Sequence, residues 1–562
     1  MNELLPGLLV AIPILGATLP LALGLARERI GWSVAAVVLA IETVLAAWLA
    51  YAVYGAGERI VHALGGEAFG RGGPENFAVG IELIGDALSA FVVLLIAFVS
   101  LAVLAFSRQA GPRSNAFYSG YLLLTGGLMG TALTGDLFNL FVFLEITGLA
   151  TYALIASDRS GESALASLKY LIIGTAGASL YLVGVGYLYV RTGTLNMVDL
   201  SRVLAGEVDF EFVDGALYSD PLVVAGFGFI AVGLATKAAI YPLHTWQPDA
   251  YDAAPDAVTI YISALVSTVA AYAFGRITLV VFTPDFFAAN PLAIEAVLVL
   301  AALSVVVGSA LAAAQSRVKR MFAYSSVAQF GLIIAAFGIA VHPAAFEAGE
   351  TAVRYAVYGA VIHLFAHAII KGGLFATAGA LAAGYGARTV ESYAGLAKRA
   401  PYLSGAVAIL GFAIVGVPPT VGFIGKWYIA VASVEAGIWW LVFVIFASTL
   451  LTMLYVARLL EKLYFDYLPS EAPGYAEPSA DVAADGGQGT TPTADGGEAA
   501  GGQPTFSPRR PEGGLTLGMV AVAIGATILA FALGFAGEEL TRAVEPLAQA
   551  VIESSPEVTN DG

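Results

Sequence analysis

Apolar runs of about twenty residues, separated by short polar loops, recur along almost the whole chain. Each is long enough to cross the hydrocarbon layer of a bilayer as a helix. The pattern predicts spans near 3–25, 31–54, 86–106, 116–135, 137–156, 163–190 and 221–241, then near 257–282, 291–313 and 320–340. Four more follow near 352–384, 403–434, 437–463 and 514–536. The expected fold is all-α, a polytopic membrane protein of about fourteen transmembrane helices. Two of the spans, 352–384 and 403–434, are long enough to be bent or broken. The opening "MNELLPGLLVAIPILG" has neither a basic n-region nor a small-residue cleavage site, so it reads as a first span rather than a cleaved signal.

The loops supply a check on this count. Arg27 and Arg29, Arg108 and Arg113, Arg159, then Arg317, Lys319 and Arg320, and finally Lys398 and Arg399 follow the first, third, fifth, ninth and eleventh spans. All fall on one side, as basic residues do on the cytoplasmic face. The opposite loops are mainly acidic, as at 195–220 with Asp199, Glu207, Asp209, Glu211 and Asp214. A cell-membrane protein with both termini outside is expected.

Two spans are interrupted by proline. "GLATKAAIYPLHTWQPDAYDAAPDAV" (233–258) and "AILGFAIVGVPPTVGFIGKWYIAVAS" (408–433) each carry one lysine beside the break. Proline removes a helix hydrogen bond, and freed backbone survives at membrane depth only where it faces protein or water. The breaks lie five spans apart, and an odd number inverts orientation, which is the signature of an inverted repeat with transport sites at its broken helices. The expected organisation is therefore N-terminal helices over 1–115, a first repeat over 116–282 (break near 237–256) and a second over 283–467 (break near 416–426). A Gly/Pro-rich acidic linker at 468–513 is expected to be a disordered tether, followed by a last helix and acidic tail at 514–562.

Composition narrows the chemistry. The chain is 58% hydrophobic and 12% charged, with a mean hydropathy of +0.81, so its solvent is largely lipid. It has no cysteine, which removes disulfides, thiolate metal sites and iron–sulfur clusters from consideration. A net charge of −16 makes nucleic acid an unsuitable partner. No cofactor or metal site is expected. "HLFAH" lacks the glutamate of the zinc-protease motif, and "GFIGKW" lacks the first glycine of a phosphate loop.

Charges inside the spans remain to be explained. Glu145 stands near the centre of "FNLFVFLEITGLATYALIA" (138–156), where a carboxylate costs several kcal/mol at least. Seven lysines stand against nineteen arginines, and four of the seven, Lys169, Lys237, Lys371 and Lys426, lie inside predicted spans. Arginine serves wherever a fixed charge is wanted, whereas burial can draw a lysine towards neutrality, which a proton carrier needs. Lys169 lies near a helix start and can equally snorkel to the interface. Glu145 is expected to face a hydrated interior and to pair with Lys237. His363, His367 and Lys371 are spaced to share one helix face, suited to a proton relay.

These stretches together resemble one family, the antiporter-like membrane subunits shared by Mrp-type cation/proton antiporters and respiratory complex I. The matching pieces are Glu145 in "FVFLEITGLATYALIA", Lys237 with the "HTWQPDAY" that follows it, "SALVSTVAAYAFGRI", "KRMFAYSSVAQFG", "HLFAHAIIKGGLFATAGAL" and "GVPPTVGFIGKWY", covering roughly 80–460 in order. Chain length and "GTLNMVDL" (193–200) look most like the D-type member of the Mrp group. The resemblance implies a proton path through Glu145, Lys237, His244, His363, His367, Lys371 and Lys426, with Lys426 as the terminal carrier and Lys169 and Thr268 beside the path. Thr268 stands where the family usually carries a basic relay. The implied function is a proton-translocating subunit of a multi-subunit Na+/H+ antiporter, a transporter part rather than an enzyme. The alternatives are a proton-pumping membrane subunit of an NADH/quinone dehydrogenase, or a scaffold subunit that transports nothing. Expected partners are other membrane subunits, protons and monovalent cations, and the lipid bilayer.

Overall fold

The structure, a computed structural model, describes residues 2–64, 78, 80–108, 111–208, 215–466 and 514–554. The linker expected at 468–513 and the acidic stretch 209–214 lie outside the described residues. Among the described residues, eleven helices are long and apolar enough to cross a membrane. The other three expected spans fall on a full-length but less apolar helix at 115–133 and on the two broken helices, whose first halves Pro221–Lys237 and Pro401–Val415 are short.

The chain opens with α1 (Leu5–Gly16), α2 (Leu19–Gly24) and α3 (Gly31–Ala50). An antiparallel ribbon of β1 (Ile60–Ala63) and β2 (Glu82–Gly85) follows, pairing Ile60 with Gly85. This small ribbon departs from the all-α expectation; it lies between spans, where backbone can pair outside a helix. Next come α4 (Ala87–Ser107), α5 (Asn115–Leu133), α6 (Leu137–Ile155), α7 (Gly161–Thr192) and the short α8 (Met197–Leu204). Side-chain caps start several of them: Asp86, Ser114, Asp136 and Ser160 each accept a backbone N–H of the first turn.

The first broken helix is α9 (Pro221–Lys237) and α10 (Trp246–Ala253). Between them Ala239 has φ +58° and the Tyr241–Pro242 peptide is cis. Left-handed backbone costs a residue with a Cβ about 1–2 kcal/mol, so the surrounding packing must hold the break open. The chain continues through α11 (Asp256–Tyr261), α12 (Ser267–Arg276), α13 (Thr283–Ala289), α14 (Pro291–Ala313), α15 (Val318–Ala340) and α16 (Pro343–Ala348). The span expected at 352–384 is not broken: α17 (Glu350–Tyr385) is one continuous helix. It contains no proline, and it stops at Gly386, whose φ of +71° supplies the left-handed cap.

After α18 (Leu396–Arg399), the second broken helix is α19 (Pro401–Val415) and α20 (Val421–Glu435). It parts at Gly416, with φ +89°, and the cis Pro418–Pro419 peptide. Then α21 (Trp439–Phe465) and α22 (Leu517–Ala532) complete the bundle, and α23 (Gly537–Glu553) closes the described chain. The span 256–289, α15 and α17 form the centre, with 100%, 94% and 89% of their most apolar windows buried. Peripheral helices instead expose Trp439, Phe443, Phe446 and Leu450 of α21, which suits a lipid solvent.

Candidate proton path

Lys237 is the last residue of α9, placed there because the helix stops at the Ala239 turn. Its ammonium donates to Glu145 Oε1 of α6 at 3.0 Å. The Lys237 side chain is 5% exposed and that of Glu145 23%, so the carboxylate is the more accessible end of the pair. Gly148, three residues after Glu145, makes room: a Cβ there would stand 3.0 Å from Lys237 Nζ. The pair expected from sequence is formed.

His244 lies in the turn between the half-helices, buried, with Nδ1 lacking a protein partner among the described residues. The rings of Tyr241 and Tyr324 flank it at 5.5 and 6.0 Å. Thr268, in α12, is buried with its hydroxyl likewise unpartnered. Beside it Ser267 accepts from Gln247 Nε2 at 3.0 Å, and Gln247 also donates to the Tyr251 hydroxyl at 3.1 Å.

Along α17 the expected face is real. Lys371, 0% exposed, donates to the Phe322 carbonyl at 2.8 Å and to Ser325 Oγ. One turn away His367 packs on the Phe330 ring at 4.4 Å, with both nitrogens unpartnered. A further turn on, His363 Nε2–H donates to Gln329 Oε1 at 2.9 Å. Lys426 faces this end of the row from α20. It donates to the carbonyls of Ile414 and Val415 at 2.7 and 3.0 Å, acceptors that the break in the helix sets free. Lys371 and His363 both lie within electrostatic reach of Lys426.

Lys169 stands apart. It is partly exposed and holds Asp249 at 2.6 Å, which also binds Arg320 at 2.6 Å.

Sequence reasoning missed two groups. Glu42, in the middle of α3, is 0% exposed and neither carboxyl oxygen has a partner among the described residues. Its signal was the one that exposed Glu145: a single acid in an apolar run, "VLAIETVLAAW". Arg276 is the exception to arginines in loops and at span ends. Buried at the end of α12, it binds Asp86 at 2.9 Å and the Tyr272 hydroxyl at 3.3 Å.

Residues 134–452 match the family described as "NADH:quinone oxidoreductase/Mrp antiporter, TM". The chain belongs to this family. It is 42% identical over 397 residues to the NADH-quinone oxidoreductase subunit N of Desulforudis audaxviator, covering 69% of this chain and 74% of that one. It is 34% identical over 385 residues to the D-type subunit of the Na(+)/H(+) antiporter of Bacillus subtilis, covering 68% and 72%. A chain of the Mrp complex from a Dietzia species superposes with a TM-score of 0.79 at 26% identity, over 99% of both chains. The family match takes in Glu145, Lys237, His244, Thr268, His363, His367, Lys371 and Lys426, and leaves Glu42 and α23 outside it.

Proposed function

We propose that this chain conducts protons as one membrane subunit of a hetero-oligomeric complex in the cell membrane. The observation that carries the reading is the row of ionisable groups made by half-buried Glu145 and by buried Lys237, His244, Lys371, His367, His363 and Lys426. Groups of this kind are rare in membrane interiors because they are costly there, and they mark ion and proton routes. Several polar atoms in the row, on His244, Gln247, Thr268, Gln329, His363 and His367, lack a protein partner among the described residues. Buried polar atoms require one, and water supplies it where protein does not. The two proline-broken helices support an organisation in two inverted repeats, each placing a lysine beside freed backbone.

The driving force has two readings. Exchange against Na+ or another monovalent cation is supported by the fit to the Dietzia Mrp chain over nearly the full length. Coupling to a quinone-linked dehydrogenase is supported by the 42% identity to an NADH-quinone oxidoreductase subunit. Purification of the native complex separates them. Small membrane subunits without flavin or iron–sulfur proteins mean an antiporter; flavin and cluster subunits mean a dehydrogenase. A complex that moves no protons in sealed vesicles overturns both and leaves the scaffold reading.

A further inference from the structure

Beyond the family match, which ends at residue 452, the chain returns to the row of charges. The turn after α22 packs on the second break: a Cβ on Gly534 would collide with the Pro419 carbonyl oxygen. From there α23 lies along α17 with Leu540, Val544, Ala548, Val551 and Ile552 buried. Its Glu545 reaches α17 with both carboxylate oxygens. One forms an ion pair with Arg354 and the other accepts the Tyr358 hydroxyl.

The position matters because α17 and α20 are in register here. Gly425 abuts His363 and Gly359 abuts Ile429, so Tyr358 lies about one turn from the His363–Lys426 level, towards the start of α17. The Tyr358 ring meets that of Tyr428, two residues past Lys426, at 5.4 Å, and Tyr355 meets Tyr428 at 5.3 Å. Tyr358 is buried, whereas the Glu545 side chain is 37% exposed. An accessible carboxylate is thus hydrogen-bonded to a buried tyrosine near the end of the row.

We infer that Glu545 is the group through which Lys426 exchanges protons with the aqueous face at this end of the bundle. The inference rests on the proton-path reading above. The proton leaves the Lys426 ammonium, giving a neutral amine, and crosses by hydrogen-bonded hydroxyls and water. Tyr358 hands its own proton to the Glu545 carboxylate as it accepts one from the interior. The neutral carboxyl then releases the proton to bulk water and re-forms its ion pair with Arg354; nothing is oxidised or reduced. The groups that face Glu545 and bias its titration are Arg354 and Tyr358, and Glu350, which Arg354 also binds at 3.2 Å, on α17. On α23 they are Arg542 and Glu538, paired at 2.8 Å, and Gln549. Tyr428 of α20 lies behind Tyr358, ring to ring.

The test uses the full complex in sealed vesicles, with proton movement measured while pH is varied on the face that Glu545 meets. Glu545→Gln keeps the size and an acceptor for Tyr358 but cannot carry the proton. It should slow transport by about tenfold or more and flatten the dependence on pH at that face, with the same subunits co-purifying. Glu545→Asp should restore the dependence. A wild-type rate and profile in Glu545→Gln overturns the inference, and so does an equal loss at every pH that Glu545→Asp shares, since that marks a structural latch. If Glu545→Gln fails to assemble, Tyr358→Phe, which keeps the ion pair, decides: slowed transport supports the inference and an unchanged rate overturns it. A wild-type complex that moves no protons is a different result, and it removes the proton path itself.

Discussion

Removing either member of the Glu145–Lys237 pair should abolish proton movement, but the two variants should differ in stability. At 3.0 Å and an effective dielectric of about 20, the attraction between the charges is roughly 5–6 kcal/mol. Much of it is offset by the desolvation of both ions, and breaking a buried pair by deleting one partner typically costs ~3–5 kcal/mol. The burial is unequal, with the lysine side chain 5% exposed and the glutamate 23%. Glu145→Gln strands an ammonium in a dry site and belongs at the upper end of that range. Lys237→Met strands the more accessible carboxylate, which can also take up a proton, and belongs at the lower end or below it. The double variant removes both charges and should insert and assemble no worse than either single one. Proton movement in inverted vesicles carrying the full complex, with the aggregation temperature of the solubilised complex, measures both effects. Wild-type activity in Glu145→Gln refutes the role of the pair. A double variant less stable than both singles refutes the electrostatic account of its stability.

Lys371→Ala should stop proton movement and Lys371→His should retain some of it, because the position requires a group that holds a proton among buried neighbours; full activity in Lys371→Ala would favour the scaffold reading. Thr268→Lys should be tolerated, since the hydroxyl there already lacks a protein partner; an activity that appears only in this variant would mean that the native chain has lost its relay. His244→Ala should be nearly as damaging as Lys371→Ala in the same assay. Glu42→Leu should leave assembly intact or improve it, because an unpartnered buried polar group costs about 1–3 kcal/mol; lost transport in an intact complex would add Glu42 to the path. Replacing 473–508 by a short Gly/Ser stretch should change neither assembly nor ion exchange, as loop entropy grows only slowly with length, and loss of either would show that the segment binds a partner.

The spans were legible because lipid imposes one simple condition, a long apolar helix, and the chain meets it repeatedly. The breaks were legible for the same reason, since proline in an apolar helix removes a donor that lipid cannot replace. Whether the span at 352–384 breaks was not, because length alone does not separate one long helix from two without a proline or a wedge to part them. Glu145 and Lys237 could be paired from sequence because each needs an opposite charge and few candidates exist. Glu545 could not, although it is plain in the sequence. An acid in a polar C-terminal helix looks like ordinary surface until the fold lays that helix on Arg354 and Tyr358.

The same distinction explains why Thr268 need not end the route. Sequence alone compares position with position, and there the hydroxyl replaces a group that can hold charge with one that can only pass a proton on. The fold offers His244 as well, whose ring lies 6.0 Å from Tyr324, while the next residue, Ser325, binds Lys371. An imidazole nitrogen can take up a proton and hold it, which the Thr268 hydroxyl cannot. On the proposed reading, the route would turn at α15 instead of crossing through α12. Gln247, Ser267 and Tyr251, hydrogen-bonded beside Thr268, remain as a polar flank to it.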